Sequence, residues 1–149
     1  YDLIDFSTTD TEYPQNGARA YYSLVPISLP AGTVTKLRVK VKDVTGSDQQ
    51  NLAIYNASGN LVAKTGWKSF SANGTYEWAV ISSAPISAGD YTLYATGYEN
   101  AASYLPVKTF ASGMAYCEYP NSPWRDIPAT LPGTYSTYSG KIAVGVYVE

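Results

Sequence analysis

The chain has no histidine, a single cysteine and a single methionine among its 149 residues, and only 15% of its residues are charged. The missing histidine removes the side chain that titrates near neutral pH. With it go the Ser-His and Cys-His nucleophile pairs and the commonest zinc ligand. A lone Cys117 excludes an intrachain disulfide and a multi-cysteine metal site, and its expected role is that of a small buried hydrophobe. No apolar run approaches the roughly 18 residues that cross a bilayer as a helix. No basic residue followed by an apolar segment opens the chain, and a start at Tyr1 is expected of a processed mature protein or of a domain within a longer chain. Ten Lys and Arg against twelve Asp and Glu leave a net charge of -2. That balance disfavours nucleic acid, whose binding needs clustered positive charge.

What remains is 45% apolar, enough to build a core, and the length suits one domain over residues 1–149, with 1–16 read as an N-terminal arm. With so few charges, the surface must be covered largely by Ser, Thr, Asn, Gly and Tyr. Such a covering is expected of an extracellular or virion-surface protein.

Hydrophobic periodicity is that of strands. Leu37, Val39 and Val41 alternate with Lys36, Arg38, Lys40 and Lys42, and Ile142, Val144, Val146 and Val148 alternate with Ala143, Gly145 and Tyr147. Period two gives a strand with one dry face and one wet one. Shorter runs rich in β-branched and aromatic residues occupy 18–24, 52–55, 61–64, 75–82, 91–95 and 103–110, with 114–119 a weaker candidate. Turn chemistry separates them, and Asn56-Ala57-Ser58-Gly59-Asn60 between two apolar runs reads as a hairpin. The segments at 26–32 and 85–89, each Pro-Ile-Ser followed by Ala-Gly, read as loops. No window has helical spacing with start and stop signals. The expected fold is all-β, an antiparallel two-sheet β-sandwich of jelly-roll type with eight to ten strands; an immunoglobulin-like sandwich is the runner-up.

Chemistry-bearing residues are few. Glu77, Glu99, Glu118 and Asp126 sit on or near separate strands, without the paired spacing that glycoside hydrolysis demands, and the chain is expected not to be an enzyme. No cofactor is expected; a calcium ion near Asp43 and Asp48 would need six to eight oxygen ligands, and no calcium-loop spacing supplies them. Asn56-Ala57-Ser58 and Asn73-Gly74-Thr75 match the N-glycosylation pattern. The opening dozen residues carry Asp2, Asp5, Asp10 and Glu12 without a basic residue, complementary to the cationic row at 36–42, and the two could meet across a sheet or between subunits. That row could also block edge-to-edge pairing.

Aromatics are the strongest functional signal: Tyr 15 and Trp 3 against Phe 3. A ring that stacks while keeping a hydroxyl in water favours an exposed platform, so the tyrosine surplus points toward the surface. Trp67, Tyr98, Tyr104, Tyr119 and Trp124 fall at or near expected loops, where a rigid sandwich would carry a binding site. Trp78, within a strand beside Tyr76 and Val80, reads as core.

The stretch from Asn51-Leu52-Ala53-Ile54-Tyr55 through Ser58-Gly59-Asn60 to Leu61-Val62-Ala63-Lys64, followed by Ala88-Gly89-Asp90-Tyr91, resembles the jelly-roll modules of phage virion-surface and tail proteins. It is also similar to the carbohydrate-binding modules of secreted hydrolases, as is Ile127-Pro128-Ala129-Thr130-Leu131-Pro132 before a closing strand. The resemblance implies a sandwich fold and carries over no ligand residue. The expected function is a non-catalytic, structural or adhesive surface module of a virion or extracellular assembly, binding a glycan or neighbouring protein subunits through loop aromatics, with homo-oligomerisation open and no membrane insertion. One alternative is a carbohydrate-binding module tethering a glycoside hydrolase. Another is a self-assembling filament or capsid-decoration subunit, whose arm adds a strand to a neighbour's sheet edge.

Overall fold

A computed structural model describes residues 1–9, 11–14, 20–97, 104–108, 115–118, 127–133 and 136–149; for 11–14, 104–108, 115–118, 138 and 139 only the backbone is described. The described strands are β1 (Thr11–Pro14), β2 (Ala20–Ser23), β3 (Ile27–Leu29), β4 (Gly32–Val41), β5 (Asp48–Asn56), β6 (Leu61–Lys64) and β7 (Lys68–Phe70). They continue with β8 (Gly74–Ile86), β9 (Gly89–Gly97), β10 (Tyr104–Lys108), β11 (Ala115–Glu118), β12 (Ser136–Ser139), β13 (Lys141–Ile142) and β14 (Val144–Val148). Every pairing between them is antiparallel.

The molecule is an all-β antiparallel sandwich, as the alternation predicts. One layer is the sheet β14-β4-β8; the facing layer runs β12-β11-β2-β9-β5-β6, with β3 also on β9 and β7 also on β5, and a small sheet β1-β10-β13 adjoins them. The strands are more finely divided than expected because long runs break. β2 and β3 share β9 as partner, β6 and β7 share β5, and the C-terminal run leaves β10 at Ile142 to join β4 at Val144. The segment at 26–32, expected to be a loop, contains β3; Ile27 and Leu29 alternate over too few residues to register as a period, yet Leu29 reaches the core.

Between the layers, Val34, Leu37, Val39, Val41, Val144 and Val146 from the first sheet meet Tyr21, Leu52, Ile54, Tyr91 and Leu93 from the second, with Tyr76 and Trp78 packed at the margin. Packing leaves no room for a water molecule among Leu37, Leu52, Leu93 and Val144, the density expected of a protein interior. Phe70, Tyr76 and Trp78 stack at centroid distances of 5.4 to 6.3 Å, so Trp78 does serve the core. The Asn56–Asn60 hairpin forms as its sequence demands: Gly59 takes a left-handed φ of 78°, and the Asn56 side chain accepts from Ser58 N and Asn60 N.

Candidate functional site

Three surfaces around the core hold the polar and aromatic residues. The first is the outer face of the larger sheet. β5 and β9 are buried on both sides, and this second face carries Tyr22, Tyr55 and Tyr94 with Ala20 and Ala53. Its cover is the segment 127–133: Ile127 and Leu131 pack onto the rings, while Leu61 N donates to Ala129 O and Leu131 N to Gly59 O. The Tyr55 hydroxyl donates to Pro128 O at 2.6 Å and the Tyr22 hydroxyl to Pro132 O at 3.0 Å. Tyr22 and Tyr94 stack at 5.8 Å, and Tyr55 tilts against Tyr94 at 5.6 Å. Burial pushes the Tyr55 hydroxyl pKa well up, and the neighbouring Tyr94 and Tyr22 add to it.

Part of the tyrosine surplus serves the interior rather than an exposed platform: Tyr21, Tyr22, Tyr55, Tyr91 and Tyr94 are buried, while the expected platform residues Tyr98 and Tyr119 lie outside the described residues. The hydroxyl is retained because a strap of irregular backbone presents carbonyls that need donors, which phenylalanine cannot supply. The signal lay in the near-continuous apolar runs at 52–55 and 91–95, a pattern of strands covered on both faces.

The second surface is the outer face of the smaller sheet. Register places Arg38 between Gly145 and Glu77, and Lys36 between Tyr147 and Ala79. The opening segment adds a further strand along β14: Tyr1 N donates to Val146 O, Val146 N to Tyr1 O and Leu3 N to Val144 O, with Asp2 opposite Gly145. Arg38 donates to Asp2 Oδ2 at 2.7 Å, stands 3.8 Å from Glu77 and lies 4.3 Å over the Phe6 ring; Tyr147 donates to Glu77, and Lys36 sits 5.7 Å from the Tyr147 ring. The acidic opening and the basic row therefore meet within one chain. The row does not protect an edge, because β4 is the middle strand of its sheet.

The third surface is an open groove of about 200 Å³ between β6 and β8, lined by Leu61, Val62, Ala63, Lys64, Ile81 and Ser82. It exists because β8 bulges: Lys36 pairs with Ala79 and Val34 with Ala84, so that residues 80–83 stand opposite Thr35, with Val80 turned into the core. The bulge throws Ile81 outward, 66% exposed, within van der Waals reach of Gly66. At about 200 Å³ the groove falls below the roughly 300 to 1,000 Å³ of a small-molecule pocket and suits one or two side chains or a sugar ring.

Of the expected site residues, Trp67 is half-buried in the β6–β7 connection and does not line the groove. Tyr104 opens β10, where only backbone is described. Tyr98, Tyr119 and Trp124 lie outside the described residues, as do Glu99 and Asp126. The groove itself was missed in the sequence, since a bulge between distant strands leaves no local pattern.

Asp43 is exposed with a left-handed φ of 51°, while Asp48 is buried and its Oδ1 accepts from Gln49 N. No group of three or more His, Cys, Asp or Glu able to hold a metal ion occurs among the described residues. The Asn73 side chain accepts from Val44 N, so both glycosylation-pattern asparagines serve turns. Gln50 and Asn51, consecutive on β5, carry buried amide atoms without a hydrogen-bond partner, a costly arrangement in an interior. The chain matches no protein-family model, and no curated protein matches its sequence.

Proposed function

We propose that this chain is a non-catalytic surface module of a virion or extracellular assembly, structural and adhesive in role, which presents the β6–β8 groove to a glycan or a neighbouring subunit, with Trp67 in the connection that follows β6. The observation that carries the reading is the groove: an apolar trough at the open side of the sandwich, with Ile81 exposed at its rim. An apolar trough rimmed by Lys64 and Ser82 offers a sugar ring a face to pack on and donors for its hydroxyls, and offers a protein partner a socket for an aromatic anchor. Five of the described acids have partners that support a non-catalytic role. Asp2 pairs with Arg38, Asp5 with Ser7, Asp48 with Gln49 N, Glu77 with Arg38 and Tyr147, and Asp90 with Ser28.

Gel retardation on a panel of neutral and acidic polysaccharides, run beside light-scattering mass measurement, tests the reading. Either a glycan-dependent shift or a stable oligomer is expected, weakened at least tenfold by Ile81→Asp and by Trp67→Ala. A chain that stays monomeric and shifts on no polysaccharide would overturn it.

A further inference from the structure

We propose that the opening segment is an exchangeable strand, and that the cradle it occupies on β14 and β4 also accepts the same segment from a second copy of this chain. The proposal goes beyond the functional reading, since it concerns the β14 and β4 face and rests on no residue of the β6–β8 groove.

The cradle is built for this one strand. Residues 1–3 bond to β14 in the antiparallel pattern, and Asp2 stands opposite Gly145, where a Cβ would strike Asp2 Oδ1 and the Tyr1 carbonyl. Glycine at 145 is thus required by the close approach of the added strand. Beyond it, Ile4 and Phe6 are buried against Ala143, Lys40 Nζ donates to Phe6 O at 2.6 Å, and Arg38 holds Asp2 while lying over the Phe6 ring. Backbone pairing, an apolar anchor and charge complementarity coincide on a surface 34 to 145 residues away in sequence.

The hinge is independent of that surface. Ser7 N and Ser7 Oγ donate to Asp5 Oδ1, and Thr8 N and Thr8 Oγ1 donate to Asp5 O, all of them local and exposed. The Ser7 backbone and side-chain donors hold the Asp5 carboxyl below the usual carboxylate range. Outside its own turn, the described contacts of this strand lie with one distant cradle and, through Leu3, with the adjoining main core; joined through a short exposed turn, it can leave both and be replaced there by the same strand of a neighbour. The two copies then make the same contacts in trans, the low-cost route to a dimer that exchange of an identical element provides.

Charge reversal distinguishes exchange from a strand that acts only within its own chain. In Asp2→Arg and in Arg38→Asp, every intrachain pair at this position is like-charged. In a 1:1 mixture, both exchanged pairs are opposite-charged. Each full-length variant alone is expected to be monomeric and the mixture to double in mass by light scattering. A third arm with Gly145→Val added to both variants is expected to abolish the dimer.

Variants that fold, by their circular dichroism spectra, and yet remain monomeric on mixing would overturn the proposal. If either fails to fold, two wild-type preparations with different affinity tags, mixed at high concentration and warmed to just below Tm, decide the matter. Co-purification of the two tags that persists when both preparations carry Ile81→Asp supports exchange, and its absence there refutes it. The wild-type mass and the polysaccharide shifts are read separately, so failure of exchange leaves the glycan reading standing.

Discussion

The two sheets of this sandwich share a core and differ in what they do with their backs. Behind β4 and β14 lie Arg38, Lys36, Tyr147, Glu77 and Asp2, ion-paired and in water; behind β5 and β9 lie Tyr22, Tyr55 and Tyr94, buried under the strap 127–133. One sheet has its second face covered in part by the opening segment, through Ile4 and Phe6, and the other by an aromatic cluster and its strap. Binding free energy from burial scales at roughly 25 cal/mol per Å² of apolar surface, whereas an exposed ion pair contributes about 0 to 1 kcal/mol. The strapped face should then dominate stability, and the charged face should govern association.

The most direct way to break that comparison is to truncate one side chain on each face. Tyr94→Ala deletes a buried side chain that touches both Tyr22 and Tyr55, and is expected to cost about 3 to 5 kcal/mol, as large aromatic truncations do. Lys36→Ala, which removes an ammonium 5.7 Å from the half-buried Tyr147 ring, should stay within about 0.5 kcal/mol of wild type. Urea denaturation of the two variants compares them; equal midpoints would mean that the strap contributes little and the second aromatic cluster is not a core.

A finer probe removes only the hydroxyl. Tyr55→Phe leaves Pro128 O without its 2.6 Å donor, at a cost of about 1 kcal/mol. It also changes the response to alkali. The Tyr55 pKa is raised in the folded chain, so its contribution is complete below the unfolded value of about 10 and is lost as pH rises above it. In that range the unfolded chain loses a proton that the folded chain keeps, and stability should fall by about 1.4 kcal/mol per pH unit from this group. Urea midpoints between pH 9 and 11 should show a shallower decline in Tyr55→Phe than in wild type; parallel curves would place the Tyr55 hydroxyl in water.

The contrast between the faces also decides what could be read in advance. Strict alternation on β4 and on the C-terminal run made their register legible, because one face in water and one in the core imprint period two. The hairpin at 56–60 was legible because Asn and Gly are the residues its geometry requires. The doubly covered β5 and β9 were legible as strands, but their second face was not, since burial on both sides erases the alternation and Tyr suits either a wet surface or a strap of carbonyls. Of the expected site residues, only Trp67 has a described side chain, and it lies outside the groove. The groove depends on a bulge in β8 meeting β6 across the fold, and a pairing irregularity between segments distant in sequence has no signature in either one. The meeting of the acidic opening with Arg38 was foreseeable in charge, but not in whether one chain or two would supply it.

The smallest effect probes what fastens the opening strand to the charged face. Asp2→Asn removes the ion pair to Arg38, whose two side chains are 24% and 32% exposed, but keeps the backbone bonds to β14 and the burial of Ile4 and Phe6. The expected loss is below about 1 kcal/mol, or a drop in Tm of about 2 to 4 °C at most for a chain of this size. Raising the salt to 1 M shrinks the screening length to about 3 Å, so the difference between variant and wild type should narrow there. Melting curves at 0.05 M and 1 M salt provide the test. A gap that survives high salt would mean that Asp2 acts as a hydrogen-bonding strap for the guanidinium rather than as a charge, and that the strand is fastened by geometry, with charge setting only which copy it finds.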